Sequence, residues 1–125
     1  HITTVPRAII VTAIRQLNRT VFIICNYKLI HCNERLSVRQ LLYGMMLSSA
    51  SDAANLLAEK TSGSIEGFVA LMNKRAKELG MNNTSFRNPS GLTEKDHYSC
   101  AYDMALLGSY AIKNPVFKPF GKVEF

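Results

Sequence analysis

Apolar residues recur at helical spacing along much of the chain, and the first sharply bounded run follows Ser37. Ser37 and Gln40 have the form of a capping box, in which the hydroxyl accepts a backbone N–H and the Gln side chain reaches back. The pattern therefore predicts a helix that begins at Val38. Its apolar residues fall on one face, which is expected to pack against a core: Val38, Leu41, Leu42, Met45 and Met46.

A second helix is predicted from Ala53 to about Glu59, with its end marked by Gly63. It opens at Ser49-Ala-Ser-Asp52, a segment with the composition of a helix start. In this interpretation Ser49 is the N-cap and Asp52 completes the cap from the first turn, so that capping alone explains both residues.

A third helix is predicted after Ser64 and is the most clearly amphipathic of the chain. Lys74 and Lys77 lie opposite its apolar face, and Gly80 is expected to adopt the left-handed conformation that ends it. The apolar face comprises Phe68, Leu71, Met72, Ala76 and Leu79.

Three further elements are predicted before Ser37 and four after Gly80. The first group consists of a helix over Pro6–Leu17 and two β-branched or aromatic runs, Thr20–Cys25 and Tyr27–Ile30. The two runs favour strands or an extended return segment, with helix as the alternative. The second consists of an extended segment Asn82–Arg87, a turn at Asn88-Pro-Ser-Gly91, a helix Tyr102–Lys113 capped by Ser99, and a strand beginning within Val116–Phe125.

Composition and length fit these elements to one domain. The chain has 125 residues, of which 47% are hydrophobic and 19% charged, and it contains no low-complexity tract. No linker or internal repeat divides residues 1–125. A single domain that is mostly α-helical, with short strand segments, is therefore expected.

The chain is basic, with a formal net charge of +6. Such a charge is compatible with nucleic acid, an anionic membrane surface or an acidic polymer. The basic residues are scattered, and their densest group is Lys74, Arg75 and Lys77 on one helix. A solvated helix face is favoured over a nucleic-acid footprint, and no nucleic acid is expected as a partner.

The three cysteines, Cys25, Cys32 and Cys100, follow no metal-ligand spacing and are interpreted as free thiols. Neither a metal nor another cofactor is predicted. The apolar run Val21–Cys25 is too short to span a bilayer, and neither a signal peptide nor an anchor is expected in this chain.

Four segments together resemble the low-molecular-mass penicillin-binding proteins, the D-alanyl-D-alanine carboxypeptidases. They occur in that family's order, and the resemblance covers about residues 33–115, whereas residues 1–32 match poorly. It implies a partial chain, the helical subdomain of the α/β β-lactamase/transpeptidase-like fold, with residues 116–125 starting a possible strand. The segments are Leu36–Ala54, Phe68–Met81, Asn83–Leu92 and His97–Ala105.

The resemblance gives a second interpretation of the segment at Ser49. The family's middle motif, of Ser-x-Asn type, falls on Ser49-Ala-Ser51, with Ser51 in place of Asn. By resemblance, Ser49 would help relay a proton to the leaving amine and Ser51 would face the substrate amide. Asn55, four residues later on the same predicted helix, is a candidate to replace the missing amide.

The other two family motifs have no match. No serine precedes Ser37, so Ser-x-x-Lys and its nucleophile are missing there. Lys60-Thr-Ser-Gly63 is similar to Lys-Thr-Gly but is interpreted as a helix C-terminus. For His97, Tyr98 and Asp103, loop packing is preferred over catalysis or metal binding.

The resemblance thus implies a fragment of a serine-type D-Ala-D-Ala carboxypeptidase, exported to the periplasm or the outer face of the cytoplasmic membrane. Its partners would be peptidoglycan stem peptides and, in the intact family, β-lactams. The chain alone is expected to be inactive and to need self-association or a complementary segment. The alternatives are an inactive homologue that binds wall peptide or a protein partner, and a basic helical nucleic-acid-binding module.

Overall fold

The computed structural model describes residues 36–119, which form four helices: α1 Val38–Leu47, α2 Ser51–Ser62, α3 Ile65–Glu78 and α4 Ala101–Ala111. Within this range the β-structure consists of one isolated antiparallel bridge between Ser85 and Tyr98. The prediction of a mostly helical chain is confirmed. The elements predicted over residues 6–17, 20–25 and 27–30, and residues 120–125, lie outside the described residues.

The helix start predicted at Val38 is confirmed, together with its capping box. The Ser37 hydroxyl accepts from the Gln40 backbone N–H at 3.2 Å, and the Gln40 side-chain oxygen accepts from the Ser37 N–H at 2.8 Å. Both bonds satisfy donors that an α-helix leaves unpaired at its N-terminus.

Helix α2 packs against both α1 and α3. The core that these helices form also includes Leu107 and Ala111 of α4 and Met81 and Phe86 of the segment after α3. Phe68, the largest fully buried side chain, is 0% exposed, as is Met72 one turn later. Leu71 was predicted on the same face, but it is 39% exposed. It lies one helical step of about 100° from Met72, at the edge of the buried stripe.

The ends of α2 and α3 are set by local residues, largely as predicted. Gly63 ends α2 in the left-handed conformation, with φ 79°, and Gly80 follows α3 with φ 80°. The Ser64 hydroxyl caps α3 by accepting from the Gly67 N–H at 3.0 Å. Because all of these signals are local, sequence alone was sufficient to find them.

The N-terminus of α4 and the segment after it differ from prediction. Cys100, not Ser99, is the N-cap, and no side chain caps the helix. The Ser99 hydroxyl is instead hydrogen-bonded to that of Thr84, at 2.7 Å. The strand predicted from Val116 is wrong over residues 116–119, which form a turn followed by 3-10 helix, because the Asn114 side chain and carbonyl accept the following N–H groups.

No helix among residues 36–119 is long and apolar enough to cross a membrane.

Candidate functional site at the junction of helices α1 and α2

The junction between α1 and α2 is a tight turn closed by backbone hydrogen bonds. The Gly44 carbonyl accepts from two N–H groups, those of Ser48 at 3.1 Å and Ala50 at 3.2 Å. Ser49 lies between them with φ 56°, in the left-handed region. The turn therefore presents an exposed serine between two helices that are packed together.

The prediction that Ser49 caps α2 is wrong. The helix begins at Ser51, two residues earlier than predicted, and its N-cap is Ala50, which makes no side-chain cap bond. An N-cap residue needs extended backbone so that its side chain can reach the first turn. Ser49 precedes that position and is left-handed, so it cannot serve as the cap.

The backbone conformation of Ser49 is unfavourable for a residue with a side chain. A non-glycine residue in the left-handed region costs on the order of 1–3 kcal/mol and persists only where the surroundings enforce it. Such positions cluster at functional sites. Asp96 is the other left-handed non-glycine residue described, with φ 60°, but Asp and Asn tolerate this region better than Ser.

Ser51 and Asn55 lie four residues apart in α2 and hence on one face of the helix. Both are half-buried, next to a face filled by the core residues Ala53, Ala54, Leu56, Leu57 and Ala58. Neither side chain has a hydrogen-bond partner among residues 36–119. The helix that begins after Ser49 thus carries, on one face, the Ser51 hydroxyl and the Asn55 amide, and each can donate and accept hydrogen bonds.

Asn73, which the sequence analysis did not single out, fixes the loop that follows α3. Its amide nitrogen donates to the Phe86 carbonyl at 2.9 Å, and its amide oxygen accepts from the Phe86 N–H at 2.8 Å. A polar residue beside the buried stripe of an amphipathic helix was the only sequence signal for this role. Phe86 itself is buried, so both backbone groups need these partners.

Asp103 joins the same loop to α4 and has no catalytic geometry. It is buried and accepts from the Thr84 hydroxyl at 2.6 Å and the Asn83 N–H at 2.8 Å. The Thr84 hydrogen bond, helped by those from Asn83 and Cys100, lowers the pKa of Asp103 despite the opposing effect of burial. Its role is to pair buried donors.

His97 packs within the loop, as predicted. Its Nδ1 accepts from the Arg87 N–H at 2.9 Å, and its ring meets the Phe86 ring edge-on with centroids 5.9 Å apart. Tyr98 contributes its backbone to the bridge with Ser85, while its side chain is 56% exposed. These contacts are the packing that was preferred over catalysis.

Within residues 36–119, no group of three or more His, Cys, Asp or Glu side chains could hold a metal ion. Cys100 is a free thiol and half-buried, as expected for an unpaired cysteine, and Cys25 and Cys32 lie outside the described residues.

The arrangement of the described helices is that found in solved DD-peptidases. The chain is similar in structure to D-alanyl-D-alanine carboxypeptidase DacD from Francisella tularensis, with a TM-score of 0.79 and 34% identity, over 92% of this chain and 32% of that one. It is also similar to a serine-to-alanine variant of the Streptomyces K15 DD-transpeptidase, with a TM-score of 0.83 and 27% identity over 96% of this chain and 54% of that one. The fold is thus the helical subdomain of these enzymes.

Sequence comparison narrows the class to one family. Residues 11–122 match the D-alanyl-D-alanine carboxypeptidase family, and the chain belongs to it. Carboxypeptidase DacF of Bacillus subtilis is 52% identical over 80 residues, which are 64% of this chain and 21% of that protein. The chain therefore spans about a fifth of the length of this relative, and the family match extends beyond residues 33–115 at both ends.

Proposed function

We propose that this chain is the cleft-side helical part of an exported serine-type D-Ala-D-Ala carboxypeptidase that trims peptidoglycan stem peptides. The observation that carries the proposal is the left-handed backbone of Ser49, at the position of the family's middle motif. Capping does not explain this serine, because α2 has Ala50 as its N-cap. A strained backbone that carries an exposed serine beside a packed helix pair supports a functional role, because such strain clusters at functional sites.

In this proposal Ser49 relays a proton to the leaving amine of the terminal D-alanine. A positioned proton donor of this kind contributes typically about 10²–10⁴-fold to a rate. The exposure of Ser49 and its location in a turn closed on the Gly44 carbonyl support the role, since the residue lies at the surface while its backbone is held.

Ser51 and Asn55 position the substrate in this scheme. The Ser51 hydroxyl is shorter than the motif asparagine, and Asn55 restores an amide one helical turn later. Helical side chains lean toward the N-terminus, so the Asn55 amide extends back toward Ser51. The half-burial of both groups and their lack of partners among residues 36–119 leave them available to a peptide amide.

The nucleophile and the third motif must come from outside this chain. Acyl transfer needs a serine activated by a base, and the chain contains no Ser-x-x-Lys sequence. We therefore expect that the purified chain forms no covalent adduct with a fluorescent penicillin by intact mass. A stoichiometric adduct would contradict this assignment.

The motif can be tested in a chimera in which residues 36–119 replace the matching segment of the Bacillus subtilis relative. We expect the chimera to release D-alanine from a stem-peptide analogue, because that protein supplies the other motifs. Ser49→Ala should lower kcat by about 10²–10⁴-fold with little change in stability. Asn55→Ala should mainly raise KM.

A matched control is Ser48→Ala, which removes the neighbouring exposed hydroxyl and should leave kcat unchanged. If the folded chimera binds the peptide but releases no D-alanine, the chain belongs to an inactive homologue that binds wall peptide. Equal rates for the chimera and its Ser49→Ala variant would reject the proton-relay role.

A further inference from the structure

Residues 87–97 form a loop, called the 87–97 loop below. One side chain joins its two ends. The Nδ1 atom of His97 accepts from the Arg87 N–H at 2.9 Å, which joins the two ends of the loop. Just outside this contact, Ser85 and Tyr98 exchange two backbone hydrogen bonds, of 2.9 and 3.0 Å. The contact between His97 and Arg87 thus closes the base of the loop, next to the bridge between Ser85 and Tyr98.

The interior of the loop is held by bonds that do not involve the imidazole of His97. The Asn88 side chain donates to the Leu92 carbonyl at 3.0 Å and to the Glu94 carboxylate at 2.8 Å, and it accepts from the Gly91 N–H at 2.8 Å. With a further contact from Ser90, its amide uses both donors and both acceptor positions. The loop is therefore a preformed unit whose attachment depends on its ends.

We propose that the 87–97 loop is an acid-opened latch, held shut by the neutral imidazole of His97. An N–H can donate to Nδ1 only when that nitrogen carries no proton. Protonation converts the acceptor into a donor and leaves two N–H groups facing each other. The contact is then lost and the Arg87 N–H has no partner. This inference goes beyond the proposed function and does not depend on it.

The charges around His97 determine how readily it is protonated. Glu94 lies close enough to favour the charged imidazole, and the loop also carries the exposed side chains of Arg87, Lys95 and Asp96. On the side of the bridge between Ser85 and Tyr98, His97 meets the uncharged ring of Phe86. Burial outweighs the attraction of Glu94, so the pKa of His97 is lowered from its ordinary value of 6.5.

The direction of the effect follows from this lowered pKa. The opened loop exposes His97 and binds a proton more readily than the closed loop, so closure is favoured as pH rises. The stability of the closed loop relative to the open loop is complete above pH 6.5. It is lost as pH falls through the lowered pKa of His97 in the closed form. Opening should stop at Ser85 and Tyr98, because no titrating group takes part in their backbone bonds.

Amide hydrogen exchange of the full chain, measured by NMR between about pH 7.5 and pH 4.5, tests the latch. We expect the protection factor of the Arg87 amide to fall by about tenfold per pH unit between pH 6.5 and the lowered pKa, while that of Tyr98 holds. Constant protection at Arg87, or equal loss at Arg87 and Tyr98, would overturn the proposal.

Two variants isolate His97. His97→Gln retains an acceptor that does not titrate, so the pH dependence at Arg87 should disappear. His31→Gln is the matched control, since it removes another of the three histidines of the chain and should leave the dependence intact. The reverse pattern, in which His97→Gln retains the dependence or His31→Gln abolishes it, would assign the effect elsewhere.

Discussion

Two segments that reverse the chain are held in different ways. One is the junction between α1 and α2, and the other is the segment between α3 and α4. At the junction the turn is closed by backbone bonds to the Gly44 carbonyl, and α2 has no side-chain cap. Between α3 and α4, the side chains of Asn73, Asp103 and His97 hold the loop at separate points. The junction thus depends on the packing of its helices, and the loop on polar side chains supplied by α3, by α4 and by the loop itself.

This difference explains where strain is located. A short turn between two packed helices can hold a serine in a left-handed conformation, because Met45 and Ala54, on either side of it, are fully buried. A long loop without such support must satisfy its backbone groups one by one. Changing a side chain should therefore destabilise the loop and leave the junction intact.

The largest change in stability is expected from Asn73→Ala. It leaves the N–H and C=O of buried Phe86 without partners, at a cost of about 2–4 kcal/mol in the free energy of unfolding. Urea denaturation followed by circular dichroism would measure it. Asn82→Ala, an exposed asparagine nearby, should cost less than about 0.5 kcal/mol. Similar losses for both variants would show that the loop does not depend on the Asn73 clamp.

A smaller effect of opposite sign is expected at the junction. Ser49→Gly removes the left-handed strain and should stabilise the fold by about 0.5–1 kcal/mol, after the added freedom of the unfolded chain is deducted. Ser48→Gly is the control, because Ser48 has φ −98° and gains nothing from glycine. A Ser49→Gly variant less stable than the native chain would mean that the Ser49 side chain supports the turn.

Of the expected effects on stability, that of Asp103 is the smallest near neutral pH, because its pH dependence develops at acidic pH. Because its folded-state pKa is lowered from 3.8, its contribution to stability is complete above that value and is lost as pH falls through the lowered pKa. Thermal melts between about pH 2 and pH 5 should show this decline, and Asp103→Asn should flatten it. An unchanged slope in the variant would assign the acid sensitivity to other carboxylates.

Sequence alone predicted what local residues determine. The capping box at Ser37 and Gln40 and the helix ends at Gly63 and Gly80 all depend on neighbours within a few positions. Family resemblance supplied the helical subdomain, which no spacing rule contains. The motif at Ser49, which also rests on the resemblance, stays a prediction.

Features set by distant residues were not predictable in this way. Ser49 was interpreted as an N-cap because the segment from Ser49 to Asp52 has the composition of a helix start. Its conformation is set instead by the backbone bonds of Ser48 and Ala50 to the Gly44 carbonyl. Ser99 likewise bonds to Thr84, 15 positions away, rather than to its own helix. The two hydrogen bonds between Asn73 and Phe86 depend on how the loop packs against α3. A single sequence does not show this packing.

The left-handed serine at the junction has a consequence for evolution. Codon changes that replace Ser49 with glycine would be favoured wherever selection acts on stability alone. Under the proposed proton-relay role, a lineage released from catalysis should drift toward glycine at this position, and one that still turns over substrate should keep the hydroxyl. The residue at this turn would then distinguish the two kinds of descendant.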